Sequence, residues 1–199
     1  NTEKLEMLCD KFNSDDLRTL VFDATVIQSI NNLISDAVSI FKTIDILVYS
    51  AGIHGDDTFG NVKEDTWNDV FDVNLKGMYF ICQSVSNYMV NQNIHGHILT
   101  VSSASCQKPG WTPYEISKAG VKSLTLGFAD KLVKHGITVN SIAPGPVATT
   151  MLSSSNENLT WEGNPSGRMC TSDEVANLAV IMASDLGNMI VGDTFIISG

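Results

Sequence analysis

The chain has 199 residues, 43% of them hydrophobic, with 12 basic residues against 22 acidic ones and a formal net charge of −10. That length and apolar share suit one folded domain with a sizeable core and argue against wholesale disorder. The acidic balance argues against a nucleic-acid backbone or an anionic membrane surface as partner, and no apolar run reaches the ~18 residues of a membrane span.

In chain order, Leu5, Leu8 and Phe12 have helical spacing and predict a helix at the start of the chain. No basic-then-apolar signal segment precedes it. Leu20-Val21-Phe22 predicts a short buried strand ending at Asp23. Apolar residues at Val26, Ile27, Ile30, Leu33, Ile34, Ala37, Val38 and Phe41 form a helical stripe. Residues 44–49 predict a second strand, ended by Ala51-Gly52, and a polar loop runs from His54 to Gly60. A long helix is expected from Asp65 or Thr66 to about Met89, then a strand over 97–101. The next helix spans about Thr112 to Lys134, with Gly136 as its stop, and the fourth strand covers 137–142. Pro144-Gly145-Pro146 breaks the chain. Residues 152–168, rich in Ser, Asn and Gly, predict a mobile segment before a last helix from Asp173 to about Ser184 and a final strand over 193–197.

Strands that are continuous apolar runs and alternate with helices predict a parallel sheet covered on both faces. In such a sheet ligands bind beyond the carboxyl ends of the strands. The informative residues are therefore Asp23, Ser50-Ala51-Gly52, Ser102-Ser103 and Pro144-Gly145. The cysteines Cys9, Cys82, Cys106 and Cys170 stand far apart with no C-x-x-C pair. That argues against a zinc ribbon or a disulfide framework and points to a reducing, cytoplasmic compartment. His95 and His97 flank Gly96 without a neighbouring Cys or carboxylate, so structural roles and no metal site are expected. Asn158-Leu159-Thr160 is a formal glycosylation sequon, discounted because nothing else suggests secretion.

The strongest chemical signal is Tyr114-Glu115-Ile116-Ser117-Lys118. Four-residue spacing puts the phenol and the ammonium on one helix face, where a fixed cation favours the phenolate and brings its pKa towards neutrality. Upstream, a buried strand ends in Ser102-Ser103, whose hydroxyls could meet a substrate carbonyl. Asn74 lies inside a predicted helix, where Asn is a poor former, next to Gly77.

These residues, together with Asp45–Gly52, Asn74-Leu75-Lys76-Gly77, Ile98–Ser103, Tyr114–Gly120, Val139–Gly145, Arg168, Glu174-Val175-Ala176 and Gly192, resemble the short-chain dehydrogenase/reductase family over essentially the whole chain. The resemblance implies a Rossmann-like α/β fold, a doubly wound parallel sheet with helices on both faces. It implies an Asn-Ser-Tyr-Lys tetrad of Asn74, Ser103, Tyr114 and Lys118. Tyr114 would exchange a proton with the substrate oxygen, Lys118 would lower the Tyr pKa and hold ribose hydroxyls, Ser103 would orient the substrate and Asn74 would hold a water. Asp23 would contact the adenine, Ser50, Ala51 and Gly52 would line the cofactor, and Pro144, Gly145, Val147 and Thr149 would meet the nicotinamide carboxamide. The implied cofactor is NAD or NADP, without distinction. Met151, Leu152 and Trp161 fall where the family carries a substrate lid.

Three departures stand out. The family's Asn-Asn-Ala-Gly is Tyr49-Ser50-Ala51-Gly52, so the bracing of the central strands must differ or be lost. The serine-to-tyrosine spacing is short, which leaves Ser103 favoured and Ser102 as the alternative for orienting substrate. The glycine-rich phosphate turn of the family's first strand–helix–strand unit does not occur. Residues 1–199 are therefore expected to be a single, N-terminally incomplete nucleotide-binding domain. It would be either a piece of a longer enzyme or a truncated paralogue.

The expected function is an NAD(P)-dependent oxidoreductase acting on a carbonyl or secondary alcohol of a small molecule, in a homodimer or homotetramer. One alternative is a 3-oxoacyl-[acyl-carrier-protein] reductase. The acidic chain and Ile94 and His135, at positions where carrier-protein binders use basic residues, weigh against it. The other is a non-catalytic scaffold that keeps the fold.

Overall fold

The computed structural model describes residues 2–12, 14–149 and 159–199. Helices α1 (Thr2–Phe12) and α2 (Ile30–Phe41) lead to strand β1 (Ile46–Tyr49). Helices α3 (Glu64–Phe71) and α4 (Met78–Asn91) follow, then β2 (His97–Val101), α5 (Pro113–Leu132), β3 (Thr138–Pro144), α6 (Ser172–Met182) and β4 (Thr194–Ile197). The four strands form one parallel sheet in the order β1-β2-β3-β4. Ile46 stands opposite His97, Leu99 opposite Asn140 and Ala143 opposite Ile196. Parallel neighbours require long crossovers, and the helices between them supply these.

Alternate strand residues face opposite ways, so the sheet has two apolar faces. Ile98 and Val139 enter a core with Ile30 of α2, Met78, Ile81, Val85 and Met89 of α4, and Val121, Ala129 and Leu132 of α5. Leu99 and Ile142 pack on the other face against Met182, Leu178 and Val175 of α6. Helices thus cover both faces, as the apolar strand runs predict. Two helices start on complete capping boxes, Thr112 with Glu115 for α5 and Thr171 with Glu174 for α6, and α5 also has Pro113 in its first turn.

The structure corrects three element boundaries. Leu20-Val21-Phe22 is not a strand among the described residues. Phe22 packs at the core margin beside Ala24 and Ile27, and Val21 is 72% exposed. Apolarity can be read along a chain, but a strand exists only where a neighbour supplies its hydrogen bonds. The predicted helix from 65 to 89 is α3 and α4 joined by a π-helical turn, Asp72–Gly77, which contains Asn74. The stripe beginning at Val26 opens with a 3-10 turn, Ile27–Ser29, ahead of α2.

Met151, Leu152, Asn158 and the rest of 152–158, the first part of the predicted mobile segment, lie outside the described residues. From Leu159 on, the chain forms a turn with Trp161 N donating to Gly167 O at 3.0 Å. The turn is tied to α6 by the fork of Arg168 on Glu174, at 2.6 and 2.9 Å. His97 is buried, with Nδ1 2.8 Å from the Thr138 hydroxyl, which accounts for it structurally. Among the described residues no helix is long and apolar enough to cross a membrane, and the four cysteines are free thiols.

Candidate active site

The carboxyl ends of β1, β2 and β3 release Ser50-Ala51-Gly52, Ser102-Ser103 and Gly145-Pro146 along one rim of the sheet. Helix α5 packs behind this rim. A buried hydroxyl pair, Thr100 on β2 and Thr125 on α5, meets at 2.9 Å and fixes the helix against the strand.

Lys118 is 3% exposed. Its Nζ donates to the Val101 carbonyl at 2.8 Å, leaving two of an ammonium's three donors without a partner among the described residues. Burial brings its pKa down to about 8. Nζ lies 5.7 Å from the centroid of the Tyr114 ring, over its face. Burial raises the phenol of Tyr114, and a hydrogen bond with Ser103 opposes that shift. The resemblance implied a phenol lowered by Lys118. Burial of the ring acts in the opposite direction.

The two serines divide their work. Ser102 is 2% exposed and donates to the Lys118 carbonyl at 2.8 Å, holding β2 to α5. Ser103, the next residue, points the other way. It caps the 3-10 turn Ala104–Gln107, accepting from Ser105 N at 3.2 Å and the Ser105 hydroxyl at 3.0 Å, and faces Tyr114.

Asn74 is fully buried. Its Oδ1 accepts from Ile53 N at 2.8 Å, and its Nδ2 donates to Ile53 O at 2.9 Å and to the Ser117 hydroxyl at 3.1 Å. Ser117 in turn donates to the Tyr114 carbonyl at 2.7 Å. Asn74, Ser117 and Tyr114 are thereby joined into one network across 43 residues of sequence. At Gly52 an added Cβ would stand 3.4 Å from Asn74 Oδ1, an ordinary contact, but 3.3 Å from Lys118 Nζ, tight enough to press on the ammonium. Ser50 and Ala51 are exposed beside it. Tyr49, at the departure from the family pattern, is buried and its hydroxyl donates to the Val73 carbonyl at 2.7 Å.

The remaining predicted residues lie around this centre. Asp23 is exposed in a turn, with Oδ1 accepting from the Thr25 amide at 2.9 Å and hydroxyl at 2.8 Å, bonds that lower its pKa. The turn meets the π-helix, since a Cβ on Gly77 would lie 2.5 Å from the Ala24 carbonyl. Beyond Pro144, Gly145 N donates to Ile197 O at 2.9 Å, and Val147 bridges to Cys170. Thr149 completes the segment with its hydroxyl 3.4 Å from Val147 O. Sequence reasoning assigned no role to Ser117 and kept Ser102 only as an alternative to Ser103. Their positions two residues or fewer from the tetrad were the available signal, but which way a side chain turns was not.

A family model described as enoyl-(acyl carrier protein) reductase matches residues 1–199. The chain is 32% identical over 204 residues to a 3-oxoacyl-[acyl-carrier-protein] reductase FabG of Staphylococcus epidermidis, covering 99% of this chain and 83% of that protein. A structure of ElxO with NADP bound superposes with a TM-score of 0.89 at 26% identity, covering 100% of this chain and 84% of the other. A gluconate 5-dehydrogenase from Burkholderia cenocepacia, in complex with NADP and tartrate, gives 0.88 at 27% identity, covering 100% and 81%. The class is therefore that of Rossmann-fold, NAD(P)-dependent oxidoreductases. Within it, the chain belongs to the short-chain dehydrogenase/reductase family.

Proposed function

We propose that the protein transfers a hydride between a nicotinamide cofactor and a carbonyl or secondary alcohol, with Tyr114 as general acid/base. The observation that carries this reading is the gathering at the strand ends of Asn74, Ser117 and Tyr114 in one hydrogen-bonded network, with the Lys118 ammonium over the Tyr114 ring and Ser103 facing the phenol. The cluster suits a nicotinamide nucleotide in two respects. Lys118 keeps two donors for a ribose diol, and Gly52 leaves the backbone bare beside it. NAD or NADP, when bound, supplies or accepts the hydride. Asp23 would accept from the adenine, with Oδ2 free of partners among the described residues. Ser50, Ala51 and Gly52 would line the nucleotide, and Pro144, Gly145, Val147 and Thr149 would hold the carboxamide.

Ser103 would hydrogen-bond the substrate oxygen and fix it against the Tyr114 hydroxyl. Tyr114, kept protonated by burial, is set to donate to that oxygen as the carbonyl is reduced. Lys118 would then favour the phenolate left behind, and Asn74, locked by Ile53 and Ser117, would hold the backbone around a water that returns the proton. Binding of NADH and NADPH by fluorescence, followed by a panel of carbonyl substrates, tests the reading. Tyr114→Phe should bind cofactor and lose turnover, and unchanged turnover would remove Tyr114 from the mechanism. A 3-oxoacyl-[acyl-carrier-protein] substrate is the second reading, favoured by the 32% identity to a reductase of that name. The −10 charge of the chain opposes docking of an acidic carrier.

Residues 1–199 act as one nucleotide-binding domain, and the cytoplasm is the compartment in which their free thiols persist. It assembles as a homodimer or homotetramer. Helices α4 and α5 support this with a groove of about 410 Å³ lined by Tyr79, Gln83, Leu124 and Phe128, none of them a candidate site residue. Tyr79 is 43% exposed there, leaving an apolar surface suited to a second copy.

A further inference from the structure

We infer that Tyr49 is a positioning residue of the active site: its hydroxyl, bound to the Val73 carbonyl, holds the π-helical turn in the register that locks Asn74 onto Ile53 and Ser117. The inference rests on the oxidoreductase reading above and deepens it. Where the family pattern has Asn, this chain has a phenol that reaches from the end of β1 to the helix carrying Asn74.

Three observations carry it. Tyr49 is 5% exposed, and its hydroxyl makes a 2.7 Å bond that joins residues 24 apart in sequence. The accepting carbonyl belongs to Asp72–Gly77, where the helix changes from α to π bonding, and a turn that departs from the regular ladder needs outside donors to keep its shape. The residue after Val73 is Asn74, whose three side-chain bonds all depend on that shape. Burial also pushes the phenol up to about 12, so the hydroxyl remains a donor across the working pH range.

The bonds form one path. Tyr49 fixes Val73, Val73 sets Asn74, Asn74 holds Ser117, and Ser117 holds the carbonyl of Tyr114. Ile53, fixed by the same Asn74, follows Gly52, where an added Cβ would come within 3.3 Å of Lys118 Nζ. Tyr49 touches neither substrate nor cofactor on this path. Its effect falls on the placing of groups that do.

The test is a double-mutant cycle of Tyr49→Phe and Asn74→Ala in the full protein, with Tyr114→Phe as reference. Tyr49→Phe removes one oxygen and keeps the ring. We expect kcat to fall about tenfold, in keeping with a lost hydrogen bond at a buried acceptor. The KM for cofactor should stay within about twofold, because no cofactor contact is removed. In the Asn74→Ala background the same change should cost nothing further, since the path is already cut. Independently of activity, the Ile53 amide should exchange with solvent faster in Tyr49→Phe than in the parent protein. Wild-type kcat in Tyr49→Phe, an equal fall in both backgrounds, or an unchanged Ile53 exchange rate would each overturn the proposal. Loss of turnover in Tyr114→Phe alongside any of these would leave the oxidoreductase reading standing. Retained turnover in Tyr114→Phe would instead overturn that reading while the exchange measurement still judged Tyr49.

Discussion

On the face where α2, α4 and α5 lie, Met78, Val85, Met89, Ile98, Val121 and Val139 are 1% exposed or less. Across the sheet at β1, Ile46 and Val48 keep 48% and 49% of their surface, and in the segment before it Val21 keeps 72%. Helix α1 contributes no buried residue at all. The residue types on the two sides are alike. What differs is the number of neighbours, and burial follows neighbours more closely than it follows hydrophobicity. The polar groups of the site lie on the well-packed side: Asn74 and Ser117 are 0% exposed and Lys118 is 3% exposed. A rigid surround is what allows a carboxamide, a hydroxyl and an ammonium to be held in one geometry while desolvated.

Four measurements would break or sharpen that contrast. Tyr114→Phe should reduce turnover by roughly 10²–10⁴-fold, the range for loss of a general acid/base. Its thermal midpoint should stay near that of the parent, because the ring remains. Ile98→Ala should destabilise by about 2–5 kcal/mol in urea unfolding, and Ile46→Ala by under about 1 kcal/mol. Similar costs at both positions would erase the difference between the two sides.

Lys118 gives a signed pH effect. Its folded pKa of about 8 lies below its ordinary 10.5, so between those values the unfolded chain binds more protons. Stability should therefore rise as pH increases from about 8 to 10.5, by on the order of 2–3 kcal/mol at most. Thermal melts of the parent and Lys118→Met across that window check this, and a parallel rise in both would show that another group is responsible. The smallest effect is expected at the α6 capping box. Thr171→Ala should cost about 1 kcal/mol by loss of its bond to the Glu174 amide, read as a lower urea midpoint at unchanged slope.

Much of the fold was legible in the chain. The apolar runs at 97–101 and 137–142 appear as β2 and β3, and Thr112, Pro113 and Glu115 mark the start of α5 within a residue. These signals are local, and helix caps and buried strands depend on residues close together in sequence. The Tyr114–Lys118 spacing was equally local, and the helix brings both side chains to one face. The strand at Leu20–Phe22 was misread for the complementary reason, since its apolarity says nothing of whether another strand lies beside it. The serine pair shows the same limit at the scale of one residue. Ser102 and Ser103 are indistinguishable in composition, and only the extended backbone beyond β2 sends one to Lys118 and the other towards Tyr114.

By itself, the sequence determined the alternation of strands and helices, the parallel sheet and the candidate residues for the chemistry, because periodicity, capping and motif spacing are properties of neighbours along the chain. Only the tertiary structure decided how Tyr49 replaces the family's asparagine, which serine meets the phenol, and that burial raises Tyr114 while it depresses Lys118. Hydrogen bonds between residues 24 and 43 positions apart, and the desolvation of a charge, depend on distances that exist only once the chain has packed.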